Sequence, residues 1–260
     1  MGYTAALALL VFLLVGAVSV RQTTSQSAAR HLIEEGIASL TDIDGLIAEQ
    51  RPQLQQVVAG GNQASLTLPG YPLDIRFTRD EVLNWPDAQF RQLVLERSSA
   101  AIYVNGLSAF DQQGKQSISL FSTQGALESL VGWLSEDTYS AANAAAVILA
   151  LLVAGLGFAT VVRNHGFARV RAPGAACLIG GLAGYVLVSA VAWALGRLWG
   201  GDPFSNDLHT LIAKLTDVPR RNYLVTSLLG AGLLAIGAAA GLIAGRLPEP
   251  EDGTSFDPER

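Results

Sequence analysis

Titratable side chains are missing from the places where an ion carrier or membrane enzyme would need them. Four apolar runs, Tyr3–Val20, Ala141–Val162, Pro173–Leu195 and Asn222–Gly245, contain no Asp, Glu, Lys or His. Ionisable groups are costly in hydrocarbon and persist there mainly for function. Their absence argues against a proton-coupled carrier, an ion pump, a haem-binding bundle with axial histidines and an intramembrane metalloprotease. The polar groups of note in these runs are Asn143, Ser189, Thr226 and Ser227. Cysteine occurs once, as Cys177, which excludes a disulfide or a cysteine zinc site within one chain. There is no Walker loop, no GxSxG and no HExxH, so nothing points to nucleotide hydrolysis or to a cofactor.

Charge as a whole is scarce. Asp, Glu, Lys and Arg make up 15% of the chain, against about 25% in an ordinary soluble domain, and the deficit is concentrated in the four runs. Each run reaches or nears the roughly 20 apolar residues that an α-helix needs to cross a hydrocarbon core. Peptide groups in lipid must be bonded within their own segment, so the runs are expected to be helices. The expected fold class is a mainly α membrane protein. It comprises a four-helix transmembrane bundle with a small α+β extramembrane domain inserted between spans 1 and 2. The boundaries are 1–20 for the first span, 21–140 for the domain, and 141–162, 173–196 and 222–245 for the other spans. A basic turn, 163–172, and an outer loop, 197–221, connect the last three spans. The tail 247–260 is acidic and Pro-rich without apolar periodicity, and reads as disordered. The first run has no basic start and no clean small-residue cleavage site, so a retained helix is expected rather than a signal peptide.

Orientation rests on basic residues in short loops. Arg163, Arg169 and Arg171 lie in an acid-free turn and Arg246 follows the last run. Placing both in the cytoplasm puts both termini there and makes 21–140 extracytoplasmic. Arg21, Arg30, Arg220 and Arg221 stand against this, but they share their segments with acids. Arg163, Arg169 and Arg171 are therefore read as a topology anchor that meets anionic lipid heads, not as an effector site.

The segment 21–140 carries eight basic and fourteen acidic residues, a balance that argues against nucleic acid as a partner. Ile33, Ile37, Leu40, Ile43 and Ile47 recur at helical spacing, with Pro52 limiting the helix. Ala64–Leu68 and Leu73–Phe77 alternate as a hairpin. A second helix runs from Pro86 and Asp87 to about Phe110, and QSISLF is a third strand. A last helix, from Ser122 or Thr123, runs toward the second span. The expected core is Ile33, Ile37, Leu40, Leu66, Leu68, Ile75, Phe77, Phe90, Val94, Ile102 and Leu120. Trp85 is read as a core anchor rather than a ligand-stacking surface.

The strongest positive motif is a side-chain-free ridge at Gly237, Gly241 and Gly245, with a single step of the same kind at Gly180 and Gly184. Such ridges let helices approach closely. The approach is either packing within the bundle, the preferred reading, or docking of a second copy or another membrane protein. Asp207 and His209, with His31, offer the residue types of a metal or acid–base site, but a solvated loop or an interfacial helix is the preferred reading. In that helix Leu208, Leu211, Ile212 and Leu215 would face the membrane.

Function follows as an expectation. The chain reads as a non-catalytic multi-pass membrane protein whose outer domain binds a ligand or partner, as a sensor, receptor or assembly scaffold would. Its partners are the lipid bilayer and a second copy or another membrane protein. One span, an outer domain and three further spans resemble the layout of ABC-type permease subunits, which implies an accessory or permease-like subunit of a transport complex. A membrane-tethered hydrolase is the third reading.

Overall fold

The computed structural model describes residues 2–40, 42–60, 66–68, 71, 73–109, 132–198 and 203–244. In chain order the helices are α1 (Gly2–Thr23), α2 (Gln26–Leu40), α3 (Ile43–Gly60), α4 (Arg79–Asn84), α5 (Asp87–Asn105), α6 (Glu136–Arg163), α7 (Ala168–Leu198) and α8 (Pro203–Ala244). Two short strands, β1 (Leu66–Thr67) and β2 (Arg76–Phe77), fall between α3 and α4.

Four helices are long and apolar enough to cross a membrane, at Gly2–Thr23, Glu136–Arg163, Ala168–Leu195 and Ile212–Ile243. Their outer faces are apolar: Leu151 is 69% exposed, Phe158 72% and Leu242 67%. Water would penalise such surfaces, whereas lipid matches them. The chain divides into two compact units, one drawn from Met1–Val15, Ile148–Leu187 and Arg221–Arg260, the other from Gly16–Val147 and Val188–Arg220.

The first unit is a bundle. Leu7, Ala8 and Val11 of α1 are buried with Ala176 of α7, and Val153 and Leu156 of α6 pack beside them. Phe12 stacks on Tyr223 at 5.7 Å between ring centroids, and the Tyr223 hydroxyl donates to the Phe12 carbonyl at 2.9 Å. A polar tip thus finds a partner inside an apolar bundle, as burial requires.

The second unit has its own core. Ile33, Leu66, Leu68, Ile75, Phe77, Phe90, Val94 and Ile102 of the expected set are buried there, and Ile37 packs at its edge. Leu120 and the side chain of Leu40 lie outside the described residues. Leu66 pairs with Phe77 and Thr67 with Arg76 in an antiparallel register. The period of two turns the apolar pair inward and the polar pair outward.

Several boundaries differ from expectation. The expected helix through Ile33 and Ile47 is two helices, because the Asp42 carboxylate accepts the Gly45 N–H at 2.9 Å and starts a new one. α3 then runs past Pro52 to Gly60. The proline removes one backbone bond, but Ile47, Arg51, Leu54 and Val58 on either side are buried, and burial of that face sustains the helix. The third strand and most of the membrane-proximal helix fall outside the described residues. α6 begins only at Glu136, where the Ser135 hydroxyl accepts the Thr138 N–H at 3.4 Å.

Within 197–221, α8 already begins at Pro203 and continues through Pro219. Leu215, expected to face the membrane, packs instead against the core of the second unit. That burial, with the ion pair of Lys214 to Glu35, keeps the segment helical.

Arginines replace apolar mass in this small core. Arg51 is 6% exposed, donates to the carbonyls of Val82 and Trp85 and to Asp87, and lies over the Phe90 ring. It thereby satisfies carbonyls at the end of α4 and ties them to the start of α5. Trp85, half-buried, enters this clamp through its backbone. α4 itself opens with a reciprocal cap, in which Thr78 accepts the Glu81 N–H and the Glu81 carboxylate accepts the Thr78 N–H at 2.7 Å. Arg97 grips the same carboxylate with two bonds, at 3.0 and 2.6 Å.

Burial alone would raise the Glu81 carboxyl, but the bonds from Arg97 and Thr78 outweigh it and hold the group below its usual value. A depressed carboxylate stabilises the fold above the unfolded value, about 4.3, and that contribution is lost as pH falls through the folded value. Glu81→Gln should therefore lower stability at neutral pH and flatten the acid limb of the stability curve, read by thermal unfolding between about pH 3 and 7. An acid limb unchanged by the substitution would show that Glu81 does not carry it.

Candidate functional site

The glycines singled out in the sequence all face neighbouring elements of the bundle, where they are described. A Cβ on Gly180 would sit 2.6 Å from the Ala8 carbonyl oxygen, so α7 meets α1 backbone to backbone there. At Gly184 it would sit 2.1 Å from the Tyr223 ring. Gly245 lies outside the described residues.

A close backbone seam between α7 and α8 uses further glycines that the GxxxG spacing did not mark. A Cβ on Gly230 would lie 2.3 Å from the Leu178 amide nitrogen, and one on Gly181 2.7 Å from the Ser227 amide nitrogen. One on Gly174 would lie 3.0 Å from the Leu234 nitrogen. Positions rise along α7 as they fall along α8, so the two helices cross antiparallel. Gly174, Gly181 and Gly184 are spaced by seven and three, and Tyr223, Ser227 and Gly230 by four and three. Each set is one helical stripe, and that periodicity was the signal available in the sequence.

Gly237 and Gly241 meet a side chain rather than a helix. A Cβ on Gly237 would lie 2.8 Å from Arg171 Cγ, and one on Gly241 2.7 Å from Arg171 Nη2. The ridge is therefore occupied by Arg171, and Phe167 borders it.

The turn before Arg171 is shorter than expected. α6 ends at Arg163 and α7 begins at Ala168, so Arg169, Arg171 and Pro173 are helical. Gly166 has φ +57°, a left-handed conformation that a side chain would strain. Asn164 Nδ2 donates to the Thr160 carbonyl at 2.7 Å and helps close α6. Arg163 donates to the Tyr3 hydroxyl at 2.5 Å and lies over its ring. Arg169 donates to the Asn164 carbonyl at 2.9 Å, and Arg171 to the Ala238 carbonyl at 3.4 Å. All three arginines are exposed.

In the second unit, the polar groups whose side chains are described are engaged with one another. His31 pairs with Glu35 at 3.3 Å, and the same carboxylate oxygen takes Lys214. The side chains of Asp207 and His209 lie outside the described residues. Ser99 donates to Glu34 at 2.9 Å, and Arg30 reaches Ser99 and Glu96. The Tyr71 hydroxyl and Ser98 Oγ are 2.7 Å apart. Burial raises the Tyr71 phenol despite that bond, so it stays protonated at neutral pH. Among the described residues no three His, Cys, Asp or Glu side chains gather as metal ligands.

The seam can be tested by a matched pair of substitutions. Gly230→Ala forces backbone against backbone and should lower stability in detergent by about 1–3 kcal/mol. Gly232 has nothing within 4 Å of its Cβ position, so Gly232→Ala should be neutral, or stabilising by up to about 1 kcal/mol through helix propensity. Equal effects in thermal unfolding would contradict the close crossing.

No family model, curated protein or solved structure matches this chain.

Proposed function

We propose that this chain is a non-catalytic membrane protein whose small α+β domain, between the first two spans and outside the cytoplasm, binds a ligand or partner. Both termini are cytoplasmic in this reading, and the bundle is anchor and assembly surface in the cell membrane. The domain acts as a sensor or scaffold by passing a change in its own packing to the helices that lead into the spans.

One observation carries the reading: the start of the fourth membrane helix belongs to the domain's own core. Leu215 of α8 packs against that core, and Lys214 pairs with Glu35 of α2. The exit from α1 is tied in similarly, since the Tyr103 hydroxyl donates to the Thr24 carbonyl at 3.2 Å. A ligand that repacks α2 or α5 would therefore act on two membrane helices at once. A plain tether would not need such contacts. Extended outer faces such as Leu228, Leu229 and Ile236, all exposed, suit lipid or a neighbouring membrane protein.

Two measurements test this. In a Cys177→Ser background, a cysteine at Gln89 should react with an impermeant thiol reagent on intact cells, and one at Asn164 only after permeabilisation; the reverse pattern inverts the topology. Leu215→Ala should speed hydrogen exchange together in α2 and in residues 203–218, as loss of a shared core contact predicts. A change confined to residues 203–218 would remove the basis for signalling through α8.

A further inference from the structure

The arginines at one end of the bundle are held in place, and among the described residues none of them has a carboxylate partner. No Asp or Glu occurs between Thr138 and Gly201. Each of Arg163, Arg169 and Arg171 bonds instead to a neutral oxygen, of Tyr3, Asn164 and Ala238 respectively. A guanidinium has five N–H donors, so each contact orients the group and, among the described residues, engages only part of its donors. Arg169 and Arg171 also lie in the first turns of α7, where basic side chains oppose the helix dipole. They are not there to stabilise that helix.

Placement is built into the backbone. The stem of Arg171 lies along α8 where Gly237 and Gly241 carry no side chain, and a methyl group at Gly241 would collide with its guanidinium. Arg163 is fixed by both the hydroxyl and the ring face of Tyr3. Between the arginines, Val162, Phe167 and Val170 are exposed. Alternating apolar and guanidinium groups at the ends of spans match the depth at which acyl chains give way to headgroups. The free forks match phosphate oxygens, which arginine binds in bidentate fashion.

We propose that this end of the bundle is a preformed basic rim for the phosphates of anionic phospholipids, with Arg163, Arg169 and Arg171 as donors and Gly237 and Gly241 as positioning residues for Arg171. The rim is a surface that takes several headgroups, not a pocket for one. Its selectivity depends on where the guanidinium groups are held as well as on their number. The inference is independent of which side of the membrane the rim faces.

The test uses the full chain in nanodiscs of phosphatidylcholine with and without phosphatidylglycerol. Native mass spectrometry reads the anionic lipids retained, and thermal unfolding reads the stabilisation. The wild type should retain phosphatidylglycerol preferentially and unfold at higher temperature in its presence. Each arginine replaced by Gln should lower that preference by about fivefold. Arg171→Lys keeps the charge but loses the fork, and Gly241→Ala keeps every charge while displacing the guanidinium. Both preserve the determinants of insertion, and both should weaken the preference, whereas Gly232→Ala should not. An undiminished preference in the Arg169→Gln, Arg171→Gln protein would refute the rim. So would an equal response of the Gly241→Ala and Gly232→Ala proteins. If inorganic phosphate stabilises the protein as strongly in pure phosphatidylcholine discs, the site serves a free anion and the lipid assignment is overturned.

Discussion

Hydrocarbon offers no hydrogen-bond partner to a peptide group and no reward for burying one apolar side chain against another. The first condition turns the four apolar runs into helices. The second means that their association depends on how closely the backbones fit. The seam between α7 and α8 answers that demand. At Gly230, Gly181 and Gly174, the space for even one methyl group is already taken by the facing backbone. Tyr223 fills the space left by Gly184 and bonds the Phe12 carbonyl of α1. A residue without a side chain in one helix thus makes room for the largest polar one in another, and that tyrosine ties in a third.

The second unit faces the opposite problem, a core too small to be held by apolar burial alone. Its answer is the arginine side chain, long enough to cross between helices and equipped with enough donors to close several carbonyls at once. Arg51 serves two carbonyls, a carboxylate and an aromatic face. Arg97 locks the cap of α4 and covers Phe77. These bonds replace the missing backbone partners at helix ends, where four orphan groups otherwise remain.

What could be read in the sequence follows the range of the forces involved. Span number and position depend only on local composition and length, and a charge-free stretch is visible without knowing its neighbours. The core positions Leu66, Phe77, Phe90 and Val94 show for the same reason, through periods of two and 3.6. The helix start at Arg79 is legible in principle, because Thr78 and Glu81 have capping-box spacing, although the residues just before it alternate as a strand. Pro52 misled, since a proline's local cost is visible and the tertiary burial that overrides it is not. The role of Leu215 was invisible for a like reason: an apolar face does not say whether lipid or protein will cover it. The glycine seam was obscured by its spacing, in which steps of seven and three replace the familiar four.

The same residue type is used in two ways along this chain, and acidity decides which. Arg30, Arg51, Arg91 and Arg97 stand in a segment rich in acids, and each has a carboxylate within 3.5 Å. Arg163, Arg169 and Arg171 stand in a stretch from which acids are absent over more than sixty residues, and each is held by a neutral oxygen. If these three served only to fix helix ends, an acid within reach would do so more strongly than a carbonyl, since charge-assisted bonds are roughly twice as strong. Holding a guanidinium by a neutral group keeps its charge uncompensated while fixing its direction. Among the described residues no carboxylate supplies the counter-charge, and in the proposed reading the phosphates of a bilayer supply it at that depth.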